Sequence, residues 1–144
     1  MATNGDLAPF VIRLTLAIVM FPHGAQKVLG WFGGQGLTGT INAFTQYLHI
    51  PLVFVLLAIA AEFLGPIGLL FGLLTRVAAF GIGIEMIVAA YMNHVKNGFF
   101  MNWSGKQAGE GFEYHVLVVG ICIALMIAGA GRWSVDRQLA DRQR

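Results

Sequence analysis

PLVFVLLAIAAEFLGPIGLLFGLL, residues 51–74, is apolar throughout except for Glu62. The hydrocarbon core of a bilayer is about 30 Å thick and an α-helix rises about 1.5 Å per residue, so about 20 such residues cross it. Three further blocks have the same character: residues 7–28, 77–95 and 112–130. The chain as a whole is 57% hydrophobic and 11% charged, against about 45–50% and 25% in a soluble domain. These blocks predict an all-α integral membrane protein, one domain over residues 1–144. Sequential helices with short connections pack antiparallel, which gives an up-down-up-down four-helix bundle.

The cations divide between the two ends of the spans. Arg13, Arg76, Arg132, Arg137, Arg142 and Arg144 flank one side, and Lys27, Lys96 and Lys106 the other. Topology follows Lys and Arg rather than net charge, so both termini are expected in the cytoplasm. The first block does not read as a cleaved signal peptide, because Asp6 precedes it, no Lys or Arg comes before Arg13, and His-Gly-Ala-Gln-Lys follows it. No run of like charge reads as a nucleic-acid tract. Cys122 is the single cysteine and lies inside the fourth block, which excludes an internal disulfide and a C-x-x-C redox pair. It reads as a small packing residue.

The connections carry the turn chemistry. Thr75 and Arg76 leave almost no link between the second and third spans, so these form a tight hairpin. Gly34, Gly36 and Gly39 match G-x-G-x-x-G, but that pattern binds dinucleotides only between a strand and a helix; here it reads as a compact turn, with Trp31 and Phe32 at the interface. Ile41, Phe44 and Leu48 recur at i, i+3 and i+7, which suits a short helix over residues 40–49 lying on the outer surface. In the second span Ala58, Ala61, Gly65, Gly68 and Gly72 form a stripe of small residues, a packing face for a neighbouring span or for a second copy in a homo-oligomer. Pro66 beside it is expected to kink the helix.

Glu62 and Glu85 fall near the middle of their spans, roughly 15 Å deep. A charge there costs about 2.5–3.5 kcal/mol on insertion scales, so each faces the interior, finds a partner or takes up a proton. Their simplest alternative role is to hydrogen-bond across helices as neutral acids. Gly81, Glu85, Ala89 and Asn93 share one helical face, and His23, Gln26 and Lys27 share another through their i, i+3 and i+4 spacing. Lys27 could also extend outward to water. His94 is turned about 180° from Glu85 on an ideal helix, so it ranks below His23 unless the helix unwinds locally. Tyr114 and His115 begin the fourth span at the same level. The expected site is therefore a pocket of His23, Gln26, Lys27, Glu62, Glu85, Asn93, Tyr114 and His115 opening toward the outer face, with His23 above Glu62. Haem would need two of His23, His94 and His115 facing each other. No cysteine or closely spaced histidine pair supports a metal site.

In order and spacing, several pieces of the chain resemble the DoxX family of small four-helix membrane proteins: His23-Gly24-Ala25-Gln26-Lys27, Gly30-Trp31-Phe32-Gly33-Gly34, Ala61-Glu62-Phe63-Leu64-Gly65, Gly72-Leu73-Leu74-Thr75-Arg76, Asn97-Gly98-Phe99-Phe100, and residues 129–136. The resemblance implies a bacterial inner-membrane protein. It also implies the membrane part of a system like thiosulfate:quinone oxidoreductase, with quinone as cofactor and a redox protein or larger membrane complex as partner. A quinone head needs hydrogen-bond donors and a proton source in an apolar pocket. No electron-carrier motif is present, so any enzyme would be incomplete in this chain alone. The rival readings are a non-catalytic scaffold subunit and a proton-coupled carrier, the latter weakened by the lack of an internal repeat.

Overall fold

The computed structural model describes residues 7–143, and no strand occurs among them. Asp6 and Arg144 lie outside the described residues. Six α-helices follow in order: α1 Leu7–Leu29, α2 Gly36–Asn42, α3 Leu52–Phe71, α4 Thr75–Ala89, α5 Glu113–Ala128 and α6 Val135–Arg142. Three helical segments are long and apolar enough to cross a membrane: α1, α3, and α4 with its continuation to Asn97. The fourth apolar block gives a shorter helix, the 16 residues of α5, about 24 Å long. Its end is set by Gly129, whose φ of 78° leaves the helical region.

α1 packs on α3, α3 on α4 and α4 on α5, while α1 and α5 meet along the sparsest of these seams. Each seam is marked by a close contact. Arg13 near the start of α1 meets Leu69 near the end of α3, Gly65 of α3 lies against Ile82 of α4, Gly83 of α4 against Cys122 of α5, and Tyr114 of α5 against Met20 of α1. The core between them is Leu16, Met20, Leu69, Ile82, Val118, Cys122 and Leu125, all buried. Phe54, Leu57, Phe80 and Ile127 are exposed, as apolar side chains are on a lipid-facing surface.

The small-residue stripe is a seam within the chain. A Cβ added at Gly65 would come within 3.2 Å of Ile82, and one at Gly81 within 3.3 Å of the Ala61 Cβ, so α3 and α4 approach closely. Helix α3 runs unbroken through Pro66 and stops at Gly72, which takes the left-handed conformation at φ 64°. α4 begins three residues later, the tight hairpin expected from the sequence.

At the end of the molecule that carries both described chain ends, here called the terminal end, one arginine ties three segments together. Arg13 is fully buried, and all five of its N–H groups donate to backbone carbonyls: Nε to Ala130 (3.0 Å), Nη1 to Leu69 (2.6 Å) and Leu70 (2.8 Å), Nη2 to Arg132 (3.2 Å) and Trp133 (2.6 Å). Leu69 and Leu70 belong to the last turn of α3, whose carbonyls have no partner within the helix. Asp136 performs the opposite service for α4, accepting from the amides of Leu74 (2.7 Å) and Thr75 (2.9 Å) at its positive end. The Gly72–Arg76 and 129–136 pieces of the sequence thus meet around Arg13.

Candidate functional site

The opposite end, here the loop end, carries the long connections. Gly24 puts α1 against α3 there: a Cβ on it would fall 2.1 Å from the Glu62 carbonyl oxygen and 2.6 Å from the Phe63 Cα. This backbone contact brings Lys27, one turn further on, to Glu62, and the two form a salt bridge. The Glu62 side chain is 3% exposed and that of Lys27 23%, so the carboxylate is buried while part of the Lys27 side chain still meets the surface. α2 leans over this pair, with the Thr40 hydroxyl donating to the Lys27 carbonyl (3.2 Å) and the Phe44 ring 5.8 Å from the ammonium.

Glu85 enters from α4. Its carboxyl is within hydrogen-bonding reach of Glu62 and feels the charge of Lys27, and its Oε2 is buried without a partner. Tyr114 from α5 closes the fourth side, near enough to sense both carboxylates, with its hydroxyl 3.8 Å from Met20 Sδ. Two carboxylates can hydrogen-bond one another only when one of them carries a proton. One ammonium, one carboxylate and one carboxylic acid then make a neutral group, the form that a low-dielectric interior favours.

Further toward the loop end, the rings of His94 and His115 meet with centroids 4.3 Å apart, tilted at 44° to one another. His94 Nδ1 lies 3.0 Å from the Glu110 carbonyl, and the buried Nδ1 of His115 has no partner. The end of α4 widens into a π-helical turn over Ala90–His94. This local unwinding changes the register, turning His94 inward and leaving Asn93 exposed.

Of the eight residues expected at the site, Lys27, Glu62, Glu85 and Tyr114 come together and His115 stands beside them. Three do not. His23 is exposed on α1, and its expected place above Glu62 is taken by Lys27, because Gly24 and Lys27 rather than His23 form the face toward α3. Gln26 donates to the Phe32 carbonyl (3.2 Å) and its backbone packs against Gly34, so it braces the first connection. Asn93 is displaced by the π-turn. The local unwinding that His94 needs to face inward is present in the π-turn. With their rings in contact, His94 and His115 leave no space for a porphyrin between them, and a haem iron there would require them to separate. Two clefts, of about 380 Å³ at the terminal end and about 450 Å³ on the α3–α4 face, are lined by other residues. In the sequence Arg13 stands as one of six flanking arginines, and Asp136 stands out only as the end of the 129–136 piece. The available signal was that Arg13 lies inside an apolar block, where an ionisable residue needs partners.

The fold and the buried cluster define a helical membrane protein with a charge network inside its bundle. The chain belongs to the DoxX family, whose profile matches residues 8–95. It is 26% identical over 134 residues to Inner membrane protein YqjF of Escherichia coli, covering 93% of each chain. It is 27% identical over 120 residues to the Bacillus subtilis protein named "Putative oxidoreductase CatD", covering 83% of this chain and 79% of the relative. No solved structure matches it.

Proposed function

We propose that this chain is a multi-pass bacterial inner-membrane protein that binds a quinone head group or anchors a redox partner, as the membrane subunit of an oxidoreductase system. In this reading α5 is the fourth span of an up-down-up-down bundle, α2 lies in the outer interface, and both termini are cytoplasmic. The name of YqjF supports the location and that of CatD the chemistry. The observation that carries the reading is the buried Lys27–Glu62–Glu85 group with an unpartnered carboxyl oxygen. It offers a donor, an acceptor and a proton inside an apolar bundle, which is what a quinone head requires. A head group would reach it by displacing side chains, most easily along the sparse α1–α5 seam, where Tyr114 and Met20 meet.

The test is quinone content in lipid extracts of the purified protein. A hydrogen bond to a charged group is worth about 1.5–3 kcal/mol, so Lys27→Met and Glu85→Gln are each expected to lower retained quinone about ten- to a hundredfold. Folded protein that carries no quinone, or variants that retain it fully, would favour the scaffold reading. The topology has its own check: a reporter active only outside the cytoplasm, fused after the last residue, is expected to stay silent.

A further inference from the structure

The buried Lys27–Glu62–Glu85 group lies toward the loop end of the bundle, apart from the buried Arg13 at the terminal end. Toward the loop end, the partly exposed Lys27 side chain is bonded to Glu62, which in turn lies beside Glu85. Toward the terminal end, the next buried polar side chains are Arg13 and Thr75. Glu62 is seven residues from Leu69, where Arg13 binds, and Glu85 is ten from Thr75, so the separations are roughly 10 and 15 Å. The layer between is Leu16, Ala17, Met20, Ala79, Ile82 and Leu125, with the Cys122 thiol as its single polar group among the described buried residues. Buried apolar side chains of this kind offer no polar partners to hold the hydrogen-bonded water that a proton needs to move.

We infer that Lys27, Glu62 and Glu85 form a one-proton site that exchanges with water at the loop end of the bundle and not at the terminal end. The ligand is the proton itself, so the inference goes beyond the quinone reading and stands if that reading fails. The groups around Glu85 come from all four packed helices: Lys27 on α1, Glu62 on α3, Tyr114 on α5, and His94 beyond it at the end of α4, its ring against that of His115. With both acids ionised the group carries one uncompensated negative charge in the core; with one proton it is neutral. Uptake and release therefore change its charge by one, and among the described residues the ion-paired path from Glu85 toward the surface runs through Glu62 and Lys27, with Tyr114 and His115 on the same, loop, side.

The experiment uses the full chain in phosphatidylcholine vesicles, with orientation scored by an impermeant maleimide on Lys106→Cys. Infrared spectra of the carboxylic-acid carbonyl region are recorded while the pH on one side is stepped between about 5 and 9 and the other side is held. The expected result is a carboxyl band that follows the pH on the loop side only, disappears in Glu85→Gln and shifts in Lys27→Met. In vesicles loaded with a pH-sensitive dye, the protein should add no proton leak. A band that follows the terminal side, a band unchanged in Glu85→Gln, or a leak above that of empty vesicles would each overturn the inference.

Discussion

Replacing Arg13 by alanine is expected to cost more than about 3 kcal/mol of stability and to leave little monodisperse protein in detergent. The guanidinium is fully buried and uses every N–H it has, joining the last turn of α3 to the segment between α5 and α6. Removing it takes this donor from the carbonyls of Leu70, Ala130, Arg132 and Trp133, while Leu69 keeps the Gly72 amide (3.1 Å). It also leaves Asp136 without the nearby positive charge it faces, and opens a void beside Gly72, where an added Cβ would already be 3.1 Å from the guanidinium carbon. Lysine keeps the charge but not the planar fork, so Arg13→Lys should fall between alanine and wild type. Thermal unfolding in detergent measures both. A midpoint for Arg13→Ala within about 2 °C of wild type would show that the clamp is not needed.

The second large effect is expected at Gly24. A methyl group there meets backbone and not a mobile side chain, at 2.1 Å from the Glu62 oxygen, so Gly24→Ala must push α1 and α3 apart. Overpacking of this kind costs about 1–3 kcal/mol. Its particular consequence is that the same displacement carries Lys27 away from Glu62 and leaves a carboxylate buried without its cation. Glu62 would then be held as a neutral acid or the seam would admit water. The variant should show a second carboxylic-acid band in the infrared spectrum together with lowered stability. Gly33→Ala is a suitable control for damage from an added methyl group nearby, since nothing lies within 4 Å of a Cβ there, although its φ of 77° is itself strained. An unchanged infrared spectrum and melting point for Gly24→Ala would mean that the two helices are not in the close contact described.

Hydrophobicity alone determined the class of this protein and the approximate place of its apolar helices, because a bilayer accepts only long runs whose backbone groups are satisfied internally. The 51–74 run became α3, and the near-absence of a link at Thr75 became the tight hairpin. Glu62 and Glu85 were also legible as members of a site, since a charge in an apolar run must find a partner. Which partner was not legible. Periodicity gives the face of an ideal helix, and at two places the backbone departs from what periodicity assumes. At Gly24 the missing side chain lets α3 come close enough for Lys27, not His23, to reach Glu62. At Ala90–His94 the π-turn exchanges Asn93 for His94 on the inner face. The role of Arg13 was hidden for a related reason: its partners are backbone carbonyls of Leu69, Leu70, Ala130, Arg132 and Trp133, and a carbonyl has no letter in a sequence. Those contacts exist only once α3 has ended at Gly72 and the chain after α5 has folded back, so the tertiary structure alone decided them.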